Sequence, residues 1–188
     1  IIQNSLVPVL VDVEMGTYLP KIETIKKALT DKTRAVVLAH PLGNTTGATK
    51  LAEFCKENKL WLIEDACDSL GGSENGQKAG SFGDIATLSF YPAHHLTTGE
   101  GGAVLSKSPL VKKVAESFRD WGRDCYCDPG VDNTCRKRYQ WQLGELPYGY
   151  DHKYTYSHIG YNLKATDLQA AIGIPQVGRI DEIRAKRQ

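Results

Sequence analysis

A chain of 188 residues, 41% of them hydrophobic and 24% charged, is long enough for one α/β domain with a sizeable core and has the composition of an ordinary globular protein. Its formal net charge of +1 excludes a basic field aimed at nucleic acid or an acidic membrane surface. No apolar run is long enough to span a bilayer and no signal peptide is visible, so neither membrane insertion nor secretion is expected.

In chain order, Leu6 to Val13 is a β-branched run that predicts a first strand. Ile22, Ile25 and Leu29 recur at helical spacing after Pro20, and Ala35 to Ala39 is a continuous apolar run suited to a buried parallel strand. Leu51, Phe54 and Cys55 give the next helix its apolar face, and Trp61-Leu62-Ile63 predicts another buried strand ending at Glu64-Asp65. Such alternation predicts a doubly wound, mostly parallel sheet with helices on both faces, whose ligands bind beyond the carboxyl ends of the strands.

Three chemically loaded segments fall at predicted strand ends: Pro41 to Asn44, Glu64 to Asp68, and Ser89 to His95. The last leads through the glycine-rich turn Gly99-Glu100-Gly101-Gly102 into a further strand, and a helix is expected to run to about Phe118. Residues 124–135, rich in Asp, Gly, Pro and Asn, read as an irregular loop. The stretch from Ala165 to Arg187 is predicted mostly helical, with an interruption near Pro175. The chain opens inside an apolar stretch, and its charged helical end carries no stop signal. It is therefore expected to be the central piece of a longer protein, without the N-terminal part and a small C-terminal domain.

Of five cysteines, Cys55 lies on an apolar helix face and is expected simply to pack. Cys67, Cys125, Cys127 and Cys135 form the pattern C-x57-C-x1-C-x7-C, three of them in the polar loop. Inside a cell, clustered thiols suggest a metal or redox centre rather than disulfides. Four thiolates suit zinc as well as iron–sulfur, and chemistry alone leaves that choice open.

The ordered motifs Glu64-Asp65-Ala66, Gly80-Ser81-Phe82-Gly83-Asp84, Ser89-Phe90-Tyr91-Pro92, Gly99-Glu100-Gly101-Gly102 and Gly160-Tyr161-Asn162-Leu163 resemble the sugar aminotransferase family of nucleotide-sugar metabolism. The resemblance covers nearly the whole chain. It implies the aspartate-aminotransferase-type fold, fold type I of the pyridoxal phosphate (PLP) enzymes. Asp65 then matches the carboxylate that pairs with the cofactor's pyridine nitrogen, Ser89 a hydroxyl on its phosphate, and Tyr91 a side chain facing the cofactor. Asn162 matches a side chain that reaches the phosphate from a neighbouring subunit, implying a homodimer. Asp68 stands where the family usually has glutamine.

At the position of the cofactor-bearing lysine this chain has His94, next to His95. An imidazole cannot hold PLP through a stable covalent link, but it moves protons near neutral pH. The cofactor is then expected as noncovalent pyridoxamine phosphate (PMP), with His94 serving dehydration without amine transfer. One branch of the family combines this exchange with a 2Fe–2S cluster on the same four-cysteine spacing. It 3-dehydrates CDP-4-keto-6-deoxy-D-glucose on the route to 3,6-dideoxyhexoses of bacterial O-antigens.

Resemblance to that branch implies Cys67, Cys125, Cys127 and Cys135 as cluster ligands, a nucleotide-sugar substrate, an NAD(P)H-dependent flavin/iron–sulfur reductase as partner, and a cytoplasmic setting. The rivals are a cluster-free dehydratase of the same fold and a non-catalytic zinc-binding relative. Lys78 and Lys107 sit at the wrong motif positions for an ordinary aminotransferase.

Overall fold

The computed structural model describes residues 1–127 and 130–187, and the chain divides into two compact units. The first comprises Ile1–Ser106 with the segment from Asp167 onward, and the second is Lys107–Thr166.

In the first unit, helix α1 (Ile22–Ala28) precedes strand β1 (Ala35–Ala39), helix α2 (Ala48–Glu57) and strand β2 (Trp61–Asp65). A short hairpin, β3 (Ser73–Glu74) and β4 (Gln77–Lys78), leads to β5 (Ile85–Ser89) and β6 (Gly102–Ser106). The main sheet has the order β1-β2-β5-β6; β1–β2 and β2–β5 pair in parallel, and β5–β6 pair antiparallel. A mostly parallel sheet built by strand–helix alternation is what the apolar pattern predicted.

Leu38 and Leu62 point to one face, where they form the core with Leu19, Ile25, Leu51, Phe54 and Cys55. Alternate residues face the other way, and Val37 and Trp61 are about half exposed at 53% and 49%. The continuous apolar runs therefore do not make fully buried strands. α1 and α2 supply the core residues of one face only.

Leu6 to Val13 forms no strand, because it finds no sheet partner, and its side chains lie exposed except Val11. Pro175 sits inside helix α4 (Asp167–Val177), so the break falls later, at Gly178-Arg179 before α5 (Ile180–Arg187). A proline there removes one backbone donor and crowds the carbonyl four residues before it, and the helix ends two residues later.

The second unit holds helix α3 (Pro109–Arg119), capped by the Ser108 hydroxyl that accepts from Val111 N at 3.3 Å, and then mostly irregular chain. Bridges Asp120–Asn162 and Arg123–Tyr156 close it, and Arg123 packs its guanidinium on the rings of Trp121, Tyr154 and Tyr156. The predicted loop 124–135 is irregular as expected; its residues 128 and 129 lie outside the described residues. Among the described residues no helix is long and apolar enough to cross a membrane.

Candidate functional site

The carboxyl ends of β1 and β2 and the turn that precedes β5 meet in a hydrogen-bonded frame. Glu64, fully buried in β2, accepts from Gly80 N at 2.9 Å and Gly83 N at 2.7 Å, and its Oε2 lies 2.9 Å from His40 Nε2. Burial alone pushes its carboxyl up, but the hydrogen bonds from His40, Gly83 and Gly80 outweigh that and hold it below the usual carboxylate range. His40, directly after β1, donates its backbone N–H to Asp65 O at 3.0 Å. Two neighbouring strand ends are thus locked together one residue from Asp65.

Asp65 is exposed, and its Oδ1 accepts the backbone N–H of Cys67 at 3.2 Å. Its β5 neighbour is Thr87, which puts Ser89 two residues farther along the adjacent strand end. Ser89 Oγ accepts from Tyr91 N at 3.2 Å.

The β5–β6 connection carries Tyr91 and His94. It is closed by Phe90 N to Gly101 O at 2.9 Å and Thr98 N to Phe90 O at 3.0 Å, and fastened to α4 where Gln176 bonds both the N–H and C=O of Thr97. Gly101 is required there, since a Cβ at that position would meet Thr98 Oγ1 at 2.5 Å. Within this loop His94 N donates to Tyr91 O at 3.0 Å, the two rings stand edge to face with centroids 6.1 Å apart, and His94 Nδ1 lies 3.1 Å from Asp68 Oδ1. Glu100 is exposed and contributes only its backbone carbonyl, to Thr98 Oγ1 and Gln169.

Asp65, Asp68, Ser89, Tyr91 and His94 therefore all belong to one unit, at adjoining strand ends. A carboxylate, a hydroxyl and an imidazole so placed fit PLP or PMP by donor chemistry: an anion for a pyridine nitrogen, a hydroxyl for a phosphate, and a proton carrier. Asn162 belongs to the second unit, bridged to Asp120.

The cysteines behave differently from one another. Cys55 is buried, and burial pushes its thiol up to about 11, as befits a packing residue. Cys67 is also raised to about 11, by burial and then by its hydrogen bond to the Asp65 carboxylate. In the second unit Cys127 is lowered to about 7, first by a hydrogen bond from Thr134, then by the Cys135 N–H, with the Cys135 and Cys125 thiols adding theirs. Burial leads the causes that push Cys125 up. Two loop thiols, Cys125 and Cys135, thus lie beside the Cys127 sulfur, a donor chemistry suited to a thiophilic metal. Among the described residues, however, no group of three or more His, Cys, Asp or Glu side chains is arranged to hold a metal ion.

A cavity of about 250 Å³ opens beside these thiols, lined also by Arg119, Arg123, Arg138 and His152. Trp141 packs on buried His152 with ring centroids 5.5 Å apart, and His152 Nε2 lies 3.9 Å from Cys135 Sγ. Trp121 packs instead against Arg123 and Lys164.

His158 packs on Phe118, with ring centroids 4.3 Å apart. Sequence reasoning missed His40 and His152. For His40 a signal existed: a polar residue directly after an apolar parallel strand, facing the acid of the next strand end. For His152 there was none.

The architecture is the fold of the fold type I PLP-dependent aminotransferases. It matches PseC of Helicobacter pylori, an aminotransferase involved in pseudoaminic acid biosynthesis, with TM-score 0.76 and 19% identity over 96% of this chain and 42% of that one. The family model described as the DegT/DnrJ/EryC1/StrS aminotransferase family matches residues 1–188, and the chain belongs to that family.

Two relatives are each 57% identical over 187 residues and 100% of this chain. They are a dTDP-4-dehydro-2,6-dideoxy-D-glucose 3-dehydratase of Saccharopolyspora spinosa, covered over 40% of its length, and the lipopolysaccharide biosynthesis protein RfbH of Salmonella typhimurium, covered over 43%. A GDP-4-keto-6-deoxy-D-mannose-3-dehydratase of E. coli with bound hydrated PLP is similar in structure, with TM-score 0.74 and 25% identity over 91% of this chain and 42% of that one. The chain spans less than half the length of these relatives.

Proposed function

We propose that the protein to which this chain belongs is a PMP-dependent nucleotide-sugar 3-dehydratase acting on CDP-4-keto-6-deoxy-D-glucose. The observation that carries this reading is His94, its Nδ1 3.1 Å from Asp68 Oδ1, in the loop after β5, where a lysine would be needed to hold PLP covalently. The two relatives at 57% identity support it: one is named a 3-dehydratase, the other a lipopolysaccharide biosynthesis protein.

When bound, PMP supplies an amine to condense with the 4-keto group and a ring that accepts electrons. Asp65 holds the ring nitrogen protonated, and Ser89 and a partner subunit's copy of Asn162 hold the phosphate. Tyr91 lines the site beside His94. His94 would take a proton at the cofactor carbon and deliver one to the departing C3 hydroxyl, so that water would leave without amine transfer to the sugar.

Completing a 3-deoxy sugar then takes two electrons and two protons, which a flavin/iron–sulfur reductase draws from NAD(P)H. The finer part of the reading is a 2Fe–2S cluster on Cys67, Cys125, Cys127 and Cys135, supplying one-electron transfer. The thiolate-stabilising surroundings of Cys127 support it.

The test uses the full-length protein, purified anaerobically and given PMP, substrate, reductase and NADH. The expected product is the 3-deoxy-4-keto sugar nucleotide, with about two irons and two acid-labile sulfides per chain. An amino sugar as product overturns the dehydratase reading. Zinc, or no metal, overturns the cluster and leaves the cluster-free dehydratase.

A further inference from the structure

We propose that Asp68 is the positioning residue of His94: it fixes the imidazole as the Nδ1–H tautomer and so makes Nε2 the nitrogen that moves protons. This rests on the dehydratase reading for its catalytic consequence, though not for the pairing itself.

The geometry is specific. Asp68 Oδ1 lies 3.1 Å from His94 Nδ1, within hydrogen-bond distance. An ionised carboxylate only accepts, so the ring nitrogen facing it must carry the hydrogen. A neutral imidazole has one N–H, and with that hydrogen on Nδ1 the lone pair resides on Nε2. A carboxylate on one imidazole nitrogen both orients the ring and stabilises the cation formed when the other nitrogen takes a proton.

Both partners are held by their own chain. Asp68 lies in a tight turn after β2, where Ser69, 1% exposed, donates its N–H to Ala66 O at 3.1 Å and its hydroxyl to the same carbonyl at 3.2 Å. Gly72 N closes the next turn on Ser69 O at 2.8 Å. His94 is fixed by its N–H to Tyr91 O, by the edge of the Tyr91 ring, and by a loop that Gln176 fastens to α4. The pair thus joins the end of β2 to the loop after β5, and neither residue has to move to form it.

This gives Asp68 a different role from that of a cofactor contact. A cofactor contact acts on binding; a positioning residue acts on the rate of proton transfer and on the ring's tautomer. The side chain of Asp68 is 53% exposed and that of His94 20%, so the imidazole is the more enclosed of the two.

The test is Asp68→Asn and Asp68→Glu in the full-length protein. Long-range proton–nitrogen correlation spectra of histidine-labelled protein report the tautomer, with His94 assigned from the signal lost in His94→Asn. In the unsubstituted protein His94 is expected to be protonated at Nδ1, and in Asp68→Asn the population shifts toward Nε2–H. Turnover in Asp68→Asn is expected to fall ~10²-fold, with KM for the sugar nucleotide and the Kd of PMP unchanged. Asp68→Glu recovers part of the loss.

A raised Kd for PMP with an unaltered His94 spectrum overturns the proposal and makes Asp68 a cofactor contact. No change in either quantity also overturns it and leaves Asp68 a surface carboxylate. Absence of turnover in the unsubstituted protein overturns the dehydratase reading instead, and the tautomer spectrum then still decides the pairing.

Discussion

His40 Nε2 and Glu64 Oε2 meet at 2.9 Å with both side chains 0% exposed. The pair joins the residue after β1 to the penultimate residue of β2, and the same carboxylate ties down Gly80 and Gly83. Three donors on one buried acid make the frame on which Asp65 is displayed. Glu64→Gln keeps the shape but turns an amide N–H toward backbone donors. The expected loss is about 3 kcal/mol, read from urea unfolding midpoints. A loss too small to resolve would show that the carboxylate does not brace the strand ends.

The same residue sets a pH dependence. A carboxyl held below its ordinary value adds stability that is complete above 4.5, the value of the free group, and is lost as the pH falls through the lower folded value. The stability gap between the unsubstituted chain and Glu64→Gln should therefore be constant near neutrality and shrink on acidification below 4.5. A gap that widens in acid would contradict the sign.

Gly83 matters for space rather than backbone freedom. A Cβ there would meet Leu62 O at 2.4 Å, and neither backbone can yield without disturbing the bond to Glu64. Gly83→Ala is expected to cost about 2 kcal/mol by thermal or urea unfolding. Unchanged stability would mean that the loop re-forms elsewhere.

Thiol reactivity should divide the cysteines. In metal-free protein Cys127, lowered to about 7, is alkylated at a rate that rises steeply through neutral pH, while Cys55, raised to about 11 and buried, stays unlabelled. Peptide mapping after brief exposure to iodoacetamide reads both. Equal labelling of the two would contradict the placement of Thr134 and the Cys135 N–H beside the Cys127 sulfur.

Replacing the imidazole by an amine should change how the cofactor is held. His94→Lys in the full-length protein is expected to retain PLP covalently after borohydride treatment, seen by mass spectrometry, and the unsubstituted protein is not. Equal retention by both proteins would locate the reactive amine elsewhere.

Much of this was legible in the residues. Apolar runs at Ala35–Ala39 and Trp61–Asp65, separated by a helix with Leu51, Phe54 and Cys55 inward, specify parallel strands, because a helical crossover returns the chain in the same direction. The Asp65, Ser89 and His94 motifs could be placed at strand ends for the same reason.

Leu6 to Val13 misled because β-branched composition states a preference, whereas a strand also needs a partner edge. The Asp68–His94 contact was not legible, since it depends on how two loops meet across the sheet end. The cysteine spacing named its residues but not their states: Cys67 lies against a carboxylate that favours the thiol, while Cys127 lies among donors that favour the thiolate.

The most direct test follows the C3 oxygen of the sugar. The full-length protein, given PMP and CDP-4-keto-6-deoxy-D-glucose carrying heavy oxygen at C3, is incubated in ordinary water without any reductase. If His94 drives reversible loss of the C3 hydroxyl, the recovered sugar nucleotide loses its label, with PMP required and His94→Asn inactive. Retention of the label by the unsubstituted protein with PMP, or equal loss from His94→Asn, would contradict the dehydratase assignment.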